Sequence, residues 1–467
     1  MAALTIPRGL APLRHRGFRR LAAGQLVSNA GDAFYAVALP WYVLASHGGA
    51  LLLGTVLVAY GVPRTVLLVA GGHASDRWRP WTVMMSTDAI RAIGAAALAV
   101  AAAAGPARAE ILVPVAAVLG AGAGLFLPGS FAIVPALLPD EDLQAGNALV
   151  SGGTQLALLA GPAIGGVLVA LVGPSPAFAL DAASFAISAL TLNGVRTLNG
   201  VRAVTRTSAS SPAAVAGPDA GAGEDAEEKP TVRKLLRSAR VLQISLLVTV
   251  AANLGSAGVD EVALPSLAHG PLHTGAGGYG LLIAAFGAGA LAGTIAAGQL
   301  SGGRRPAVVG SAVFLAQAVA LAVVPYLGGT VLAGAALTVV GVLNGFGNVL
   351  MITIFQRWAP PGLMGRLAGL LTMASMGVAP LSVALAALVV NGLGAAVFFP
   401  LAAAPLALAI LAGLSQRTWR DFGAAPRPAA PRPAAAPRDG RVPRPAPGQP
   451  PWPGPGDGRP VAAGGAS

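Results

Sequence analysis

Ionisable and amide side chains interrupt two of the apolar runs in this chain at helical spacing. The first stripe consists of Gln25, Ser28, Asn29, Asp32 and Tyr35, and the second of Asn253, Ser256, Asp260 and Glu261. If these runs cross a membrane, a charge near the bilayer centre costs at least about 2.5–3.5 kcal/mol and needs a partner or a use. We therefore expect both stripes to face a central cavity, where a carboxyl group can bind and release a proton.

Asp32 has a candidate partner in Arg64, because the two residues lie in the middle of neighbouring antiparallel runs. An Asp32–Arg64 pair has two interpretations: a carboxyl that titrates when helices move, or a permanent structural ion pair. Asp260 is interpreted as solvated near the outer mouth of the cavity, and Glu261 is a further candidate for proton coupling. Asp181 is predicted to be a helix-end residue.

Amide side chains elsewhere in the apolar runs are further candidates for hydrogen bonds in the cavity. They are Gln155, Gln317, Asn344 and Asn348. Amides also hold helices together in lipid, and this structural role is the alternative for each of them.

The composition indicates the kind of element that must carry these residues. Of the 467 residues, 55% are hydrophobic and 10% are charged, whereas a soluble protein carries about 25% charged residues. The net charge of +12 is spread over short breaks and a tail, which is not typical of a nucleic-acid interface. The chain has no cysteine, no histidine pair at ligand spacing and no P-loop or hydrolase triad. The sequence therefore predicts no cofactor, no metal and no enzymatic activity.

Twelve apolar runs are long enough to cross a bilayer, which takes about 20 residues per helix. They are residues 21–45, 51–72, 81–104, 111–138, 148–172 and 176–192, then 241–264, 278–300, 307–327, 331–358, 367–390 and 393–414. We predict an all-α polytopic membrane protein with twelve transmembrane helices in two six-helix halves, residues 21–192 and 241–414. Residues 1–20 form a leader, 193–240 a linker, and 415–467 a tail rich in Pro, Ala and Arg that is predicted to be disordered.

The lysines and arginines indicate the orientation. If the N-terminus is inside, the outer loops contain Arg108 as their one basic residue, and the inner segments contain the others between the runs. Because Lys and Arg concentrate in cytoplasmic loops, both termini are predicted to be cytoplasmic and the protein to lie in the cell membrane.

The two halves repeat each other in sequence. VALP occurs at 37–40 and 262–265, GTVLVAYG (54–61) aligns with GLLIAAFG (280–287), and GHASDRWRP (72–80) aligns with GQLSGGRRP (298–306). Two halves in the same orientation imply a pseudo-two-fold axis along the membrane normal and a binding site between them near mid-membrane. In the last pair Asp76 aligns with Gly302, so Asp76 does something that anchoring the loop does not require.

Four stretches occur in an order that resembles a known family. They are residues 18–44, the loop GGHASDRWRP (71–80) with Gly72, Asp76, Arg77 and Arg79, followed by Asp88 and Arg91, the motif GPAIGG with Gly161, Pro162, Gly165 and Gly166, and FQRWAPPGLMGR (355–366). On twelve predicted spans, they resemble the major facilitator superfamily, and most of all its drug- and siderophore-exporting branch.

The resemblance implies a secondary transporter in which two halves rock around a central site. The expected activity is proton-coupled efflux, by antiport, of a small and largely apolar compound such as a drug, siderophore or secondary metabolite. The expected partners are that compound, protons and the lipid bilayer, with no nucleic acid and a monomer as the default. Two alternatives stay open: a metabolite importer or facilitator, and a non-transporting receptor or assembly protein on the same scaffold.

The resemblance also implies a conformational latch in the 71–80 loop. Asp76 would meet the start of the eleventh helix at Gly365 and Arg366, with Asp88 and Arg91 extending the charge network. The alternative is a loop that anchors topology through Arg77 and Arg79 alone. The glycines at 161–166 predict close packing or bending of the fifth helix.

Overall fold

The computed structural model describes residues 8–78, 80–198, 239–299, 305–358 and 364–423. In these ranges twelve long helices follow one another: α1 (Arg16–Ala45), α2 (Gly49–Arg77), α3 (Pro80–Ala104), α4 (Ala109–Leu137), α5 (Asp140–Val172), α6 (Pro174–Leu198), α7 (Arg240–Gly258), α8 (Gly275–Gln299), α9 (Pro306–Val323), α10 (Thr330–Trp358), α11 (Met364–Leu393) and α12 (Ala395–Ser415). The seventh span continues from α7 through a π-helical turn (Val259–Ala263) into a short helix (Leu264–His269).

Eleven of the described helical spans are long and apolar enough to cross a membrane. The long helix outside that set is α1, which has 30 residues and contains the first polar stripe together with three arginines at its start. Its polar residues lower its mean hydropathy, although its length suffices for a crossing. The prediction of an all-α polytopic chain is confirmed.

Helix packing repeats from one half to the other. In the first half α1 packs on α5 and α6, α3 packs on α4 and α6, and α2 packs on α4. In the second half α7 packs on α11 and α12, α9 packs on α10 and α12, and α8 packs on α10. Each pair in the second half is the pair in the first half with six added to both helix numbers. The two halves are therefore structural repeats, as the aligned sequences predict.

The repeat extends to the turns between helices. A single glycine separates α5 from α6 and another separates α11 from α12: Gly173 has φ 82° and Gly394 has φ 91°. Positive φ is strained for residues with a Cβ, so glycine allows this turn in both halves. The loops after the first and seventh spans also match. Each contains a histidine with positive φ, His47 (φ 60°) and His273 (φ 48°), and these two are the non-glycine residues with positive φ among those described.

The two halves meet along α5 with α8 and along α2 with α11. A Cβ at Gly280 of α8 would overlap the carbonyl oxygen of Pro162 in α5, and a Cβ at Gly54 of α2 would overlap the Ala387 side chain in α11. Close helix approach at small residues is the usual packing in lipid. These contacts lie near the ends of α5 and α11 and the starts of α2 and α8, on the side where the odd-numbered helices end.

The odd-numbered helices begin on the opposite side of the molecule. We call it the basic side, because four arginines lie just before or within the start of α1: Arg14, Arg16, Arg19 and Arg20. Interface helices have open space around their glycines toward this side. A Cβ at Gly152 of α5, Gly298 of α8 or Gly369 of α11 would meet no atom within 4 Å. The described contacts between the halves therefore concentrate away from the basic side.

The start of the chain is tied to the first half by an ionic contact on the basic side. Arg14 donates from Nη2 to Asp142 Oδ2 at 3.0 Å, and His15 Nε2 lies 2.8 Å from the same oxygen. Asp142 lies in the first turn of α5 with Asp140 and Glu141, where the helix dipole favours acidic residues. This turn makes α5 begin eight residues earlier than predicted.

The end of the second half corrects the predicted boundary of the tail. Residues 415–423 were predicted to be disordered, but Arg417–Arg420 form a short helix. Trp419 is 1% exposed and donates from Nε1 to Ser311 Oγ at 3.0 Å, and Phe422 packs beside it. Two aromatic side chains bury enough apolar surface to order this segment. The rest of the predicted tail, and the predicted linker beyond Leu198, lie outside the described residues.

Candidate functional site

Four charged side chains meet inside the first half, around the guanidinium of Arg91. Arg91 of α3 donates from Nη2 to Asp32 Oδ1 of α1 at 2.8 Å, and its Nη1 lies 3.6 Å from Asp88 Oδ1. Asp181 of α6 packs against α1 beside Asp32, since a Cβ at Gly31 would be 2.7 Å from Asp181 Oδ1. We call Asp32, Asp88, Arg91 and Asp181 the charge cluster.

The members of the charge cluster differ in burial. Asp88 is 0% exposed, Asp181 1% and Arg91 5%, whereas the Asp32 side chain is 43% exposed. Asp32 is therefore the member of the cluster that reaches solvent, and the other three lie behind it between α1, α3 and α6.

Aromatic rings hold the guanidinium of Arg91 in place. Its Cζ lies 3.8 Å from the ring centroid of Phe185 in α6 and 5.8 Å from that of Phe126 in α4. A guanidinium over an aromatic face gains about 2 kcal/mol or more when desolvated. The rings thus stabilise the cation while Asp32 and Asp88 balance its charge.

The charge cluster corrects three sequence-based predictions. Asp32 pairs with Arg91 and not with Arg64, because α1 packs mainly on α5 and α6 while α2 packs on α4. Asp181 is not a helix-end residue, since it lies two turns inside α6 and is buried against α1. Asp88 and Arg91 were predicted to extend a latch at the loop, but they lie two to three turns inside α3, where Arg91 pairs with Asp32 and lies 3.6 Å from Asp88.

Arg64 instead faces a cavity between the halves. The cavity has a volume of about 90 Å³ and is lined by residues of α2, α4 and α11 together with Glu261 of the π-helical turn. The Arg64 guanidinium lies 5.9 Å from the ring centroid of Tyr60, one turn earlier in α2. The predicted candidates Arg64 and Glu261 are thus brought together from opposite halves, and Asp260 is exposed beside Glu261 in the same turn.

Two predicted cavity amides make equivalent hydrogen bonds inside their own halves. Asn29 of α1 donates from Nδ2 to Thr154 Oγ1 of α5 at 3.0 Å. Asn253 of α7 accepts at Oδ1 from Ser375 Oγ of α11 at 2.7 Å. Because α1–α5 and α7–α11 are equivalent helix pairs, each bond joins two helices of one half, as amides do in lipid.

The remaining polar candidates divide by their surroundings. Tyr35 packs its ring against Tyr60 and Phe178, at centroid distances of 6.3 and 6.0 Å. Gln25 is 8% exposed, and its Nε2 has no hydrogen-bond partner among the described residues. Gln155 is exposed on α5, and Asn348 donates to Asn344 Oδ1 at 3.0 Å on α10.

The predicted latch is only partly described. α2 extends to Arg77, so Gly72 and Asp76 lie in the last turns of a helix and not in a loop. Gly365 and Arg366 lie in the first turn of α11. The Asp76 and Arg366 side chains and all of Arg79 lie outside the described residues, so the latch stays a prediction.

The GPAIGG motif forms a junction of three helices. A Cβ at Gly161 or Gly165 would press on Ala33 or Phe34 of α1, and a Cβ at Gly166 would press on Ala276 and Gly280 of α8. One face of the motif therefore packs within the first half and the other packs across to the second half.

Sequence reasoning missed several residues of the site. Phe185 and Phe126 gave no signal, because aromatic residues in apolar runs are usually core. The sequence does contain a pattern that indicates the position of Asp181. A polar stripe runs along α6 at helical spacing, formed by Asp181, Ser184, Ser188 and Thr191. Such a stripe in an apolar helix indicates a buried polar face.

Comparisons with known proteins agree with this architecture. A family model described as Major Facilitator Superfamily matches residues 21–383. The chain belongs to the major facilitator superfamily.

Relatives within this superfamily are named as exporters. The chain is 32% identical over 173 residues to the multidrug efflux pump Tap of Mycobacterium tuberculosis, covering 36% of this chain and 41% of that protein. The match thus spans about two fifths of that relative's length. It is 26% identical over 394 residues to the enterobactin exporter EntS of Citrobacter koseri, covering 82% of this chain and 86% of that protein.

Solved structures of the same fold support the architecture. A bacterial homologue of the iron transporter ferroportin in an inward-facing state superposes with a TM-score of 0.65 at 16% identity, covering 87% of this chain and 98% of that chain. The nucleoside transporter NupG gives 0.64 at 12% identity, covering 85% and 98%. At these identities the likeness shows the fold alone. The chain is a multi-pass membrane protein of the major facilitator superfamily, and the two relatives are named as an efflux pump and an exporter.

Proposed function

We propose that this protein exports a small organic compound from the cytoplasm in exchange for protons. The observation that carries the proposal is the charge cluster, in which three carboxyl groups accompany a single guanidinium: Asp32 and Asp88 lie 2.8 and 3.6 Å from Arg91, and Asp181 is buried beside Asp32. If all four groups were ionised, two negative charges would stay uncompensated between α1, α3 and α6. Burying unpaired charge is expensive, so the cluster reaches neutrality by binding protons.

Asp32 is the entry point for protons in this proposal. It is half-exposed, while the other members of the charge cluster are buried. A proton on Asp32 weakens its ion pair with Arg91 and leaves the guanidinium to Asp88 and Asp181. Because α1 also packs on α5, a helix of the interface between the halves, a change at Asp32 can bias the two arrangements of the halves.

The direction of transport rests on the relatives and on the open side of the molecule. Tap and EntS are named as an efflux pump and an exporter. The described contacts between the halves concentrate away from the basic side. In membrane proteins, lysines and arginines concentrate in the cytoplasmic loops, so the basic side is the cytoplasmic side in this proposal. We infer that this conformation opens to the cytoplasm, that both termini are cytoplasmic and that the protein lies in the cell membrane.

The experiment uses the full chain in liposomes with an acidic lumen. A panel of lipophilic dyes is added outside, and proton-driven antiport accumulates a transported dye in the lumen. Asp32→Asn is expected to lower gradient-driven accumulation at least tenfold while downhill dye exchange without a gradient continues. Glu110→Gln, an exposed carboxyl in the first turn of α4, serves as the matched control.

Two outcomes would contradict this proposal. Gradient-driven accumulation that Asp32→Asn leaves intact removes the charge cluster from proton coupling. Accumulation that requires an alkaline lumen identifies the protein as a proton-coupled importer in the same orientation. Orientation is checked by protease access to the basic side.

A further inference from the structure

The cavity between the halves contains a charge arrangement that the charge cluster does not use. Arg64 and Thr65 of α2 and Glu261 of the seventh span line it, with Leu57, Met376 and Val383 as apolar neighbours. Arg64 and Glu261 belong to different halves and are both exposed to solvent in this conformation. The cavity therefore offers one cation and one anion across the boundary that moves in alternating access.

Glu261 is placed by an irregular helical turn. It lies in the π-helical segment Val259–Ala263, and α7 is held to α11 just before it by the Gly258 N–H, which donates to Ser382 Oγ at 2.8 Å. π-helical turns are rare and occur frequently at functional sites. In the part of the chain that the structure describes, no cation lies within 4 Å of the Glu261 carboxylate.

Arg64 already occupies an aromatic position. Its guanidinium lies 5.9 Å from the Tyr60 ring centroid, within the distance at which a cation interacts with an aromatic face. The Arg64 side chain thus places a positive charge over the Tyr60 ring, in the same cavity that Glu261 lines.

These lining residues match the chemistry of an organic cation. A carboxylate attracts its charge, the Tyr60 ring attracts it further, and Met376 with the aliphatic side chains adapts to apolar substituents. Once Arg64 leaves the ring, the carboxylate and the aromatic face attract a cation, repel an anion and give a neutral compound no electrostatic gain.

We propose that this cavity binds the cationic group of an organic substrate between Glu261 and the Tyr60 ring, in competition with the Arg64 side chain. The proposal rests on the proposed function, whose cargo it specifies as an organic cation. Arg64 holds the aromatic position while the site is empty, and the substrate cation displaces it. Release of the substrate returns Arg64 to the ring.

The test measures binding to the full chain in lipid nanodiscs by calorimetry. The probes are choline as the cation and 3,3-dimethyl-1-butanol as a neutral compound of the same shape, because both are small enough for the cavity. Glu261→Gln is expected to weaken choline binding at least tenfold and to change binding of the neutral compound less than twofold. Arg64→Gln is expected to tighten choline binding several-fold, because it removes the competing cation. Glu110→Gln is the matched control, and thermal unfolding of each variant shows that it folds.

The overturning results are specific. Equal binding of the two probes by the wild-type chain, no binding of the cation, or equal losses of both probes in Glu261→Gln would each remove the cation site. Weaker cation binding in Arg64→Gln would remove the competition. If cation binding depends on Glu261 but no compound accumulates in acid-loaded liposomes, the site stands and the proton-coupled function fails. If the neutral compound accumulates without any preference for the cation, the function stands and the site fails.

Discussion

The interiors of the two halves share one helix arrangement and differ in charge. In the first half Arg91 of α3 is buried against Asp32 and Asp88, and Asp181 of α6 is buried nearby. In the second half α9 takes the place of α3, and the offset of the aligned loops puts Gln317 in the place of Arg91 and Phe314 in the place of Asp88. Gln317 is 9% exposed and Phe314 7%, and among the described residues the second half has no buried charged side chain, so its described interior is neutral and mostly apolar.

The shared and unshared features separate structure from function. Both halves retain an amide-to-hydroxyl hydrogen bond, Asn29 with Thr154 and Asn253 with Ser375, and both retain a single-glycine turn. A feature that is present in both halves, including the half without the charge cluster, is explained by the stability of the shared fold. Among the described residues, the charge cluster occurs in the first half. An apolar interior would stabilise the same helices, because a buried ion pair adds little net stability. The comparison therefore supports the proposed functional role of the charge cluster.

Replacing Arg91 should produce the largest difference between the halves. Arg91→Met leaves Asp32, Asp88 and Asp181 without their cation, and breaking a buried pair costs about 3–5 kcal/mol. Gln317→Leu in the second half should change stability by less than about 1 kcal/mol, because one amide in lipid contributes about 0.6 kcal/mol. Thermal unfolding in detergent measures both variants. Equal decreases in the unfolding midpoint of the two variants would show that the charge cluster contributes no more to stability than a single amide does.

The two junctions between the halves should respond differently to an added methyl group. A Cβ at Gly280 would overlap the backbone oxygen of Pro162, whereas a Cβ at Gly61 would lie 3.2 Å from Pro380 Cγ. Gly280→Ala should therefore separate the junction of α5 with α8 and cost about 1–3 kcal/mol of the present conformation, as overpacking does. Gly61→Ala should cost less.

The conformational readout for the glycine variants exploits the absence of cysteine from the chain. A single Gln155→Cys reports access from the basic side, and its labelling rate by a water-soluble maleimide is expected to fall in Gly280→Ala. Gly277→Ala, where a Cβ would have 3.8 Å of clearance from Ala170, is the control. A labelling rate that does not change in Gly280→Ala would show that this junction does not set the conformation.

The equivalent amides should give the smallest effects, and these should be equal. Asn29→Ala and Asn253→Ala each remove one hydrogen bond between helices, worth about 0.6 kcal/mol on average in a membrane protein. The expected result is a small and similar shift of the unfolding midpoint with gradient-driven flux retained. A loss of flux in Asn29→Ala alone would extend the functional asymmetry of the halves to this amide.

The sequence predicted the positions of the site residues along their helices better than their partners. Asp32, Arg64 and Glu261 were recognised as intramembrane charges because the apolar background makes each one costly. The partner of Asp32 was predicted from adjacency in the chain, but α1 packs on α5 and α6, so the cation comes from α3. Asp181 was wrongly assigned to a helix end and Phe185 was missed, because their positions in the site depend on which face of α6 meets α1 and α3.

The sequence by itself determined the set of membrane-spanning segments, the repeat of the two halves and the scarcity of charged residues within the spans. Apolar length is a local property, and the aligned stretches 54–61 and 280–287 show the repeat without any structure. Only the tertiary structure decided that Asp32 and Asp88 lie against Arg91 with Asp181 buried nearby, that Arg64 and Glu261 line one cavity, and that Pro162 and Gly280 join the halves. The physical reason is that burial and ion pairing depend on which helix faces meet, and the 3.6-residue period places each side chain on a face without specifying its neighbour.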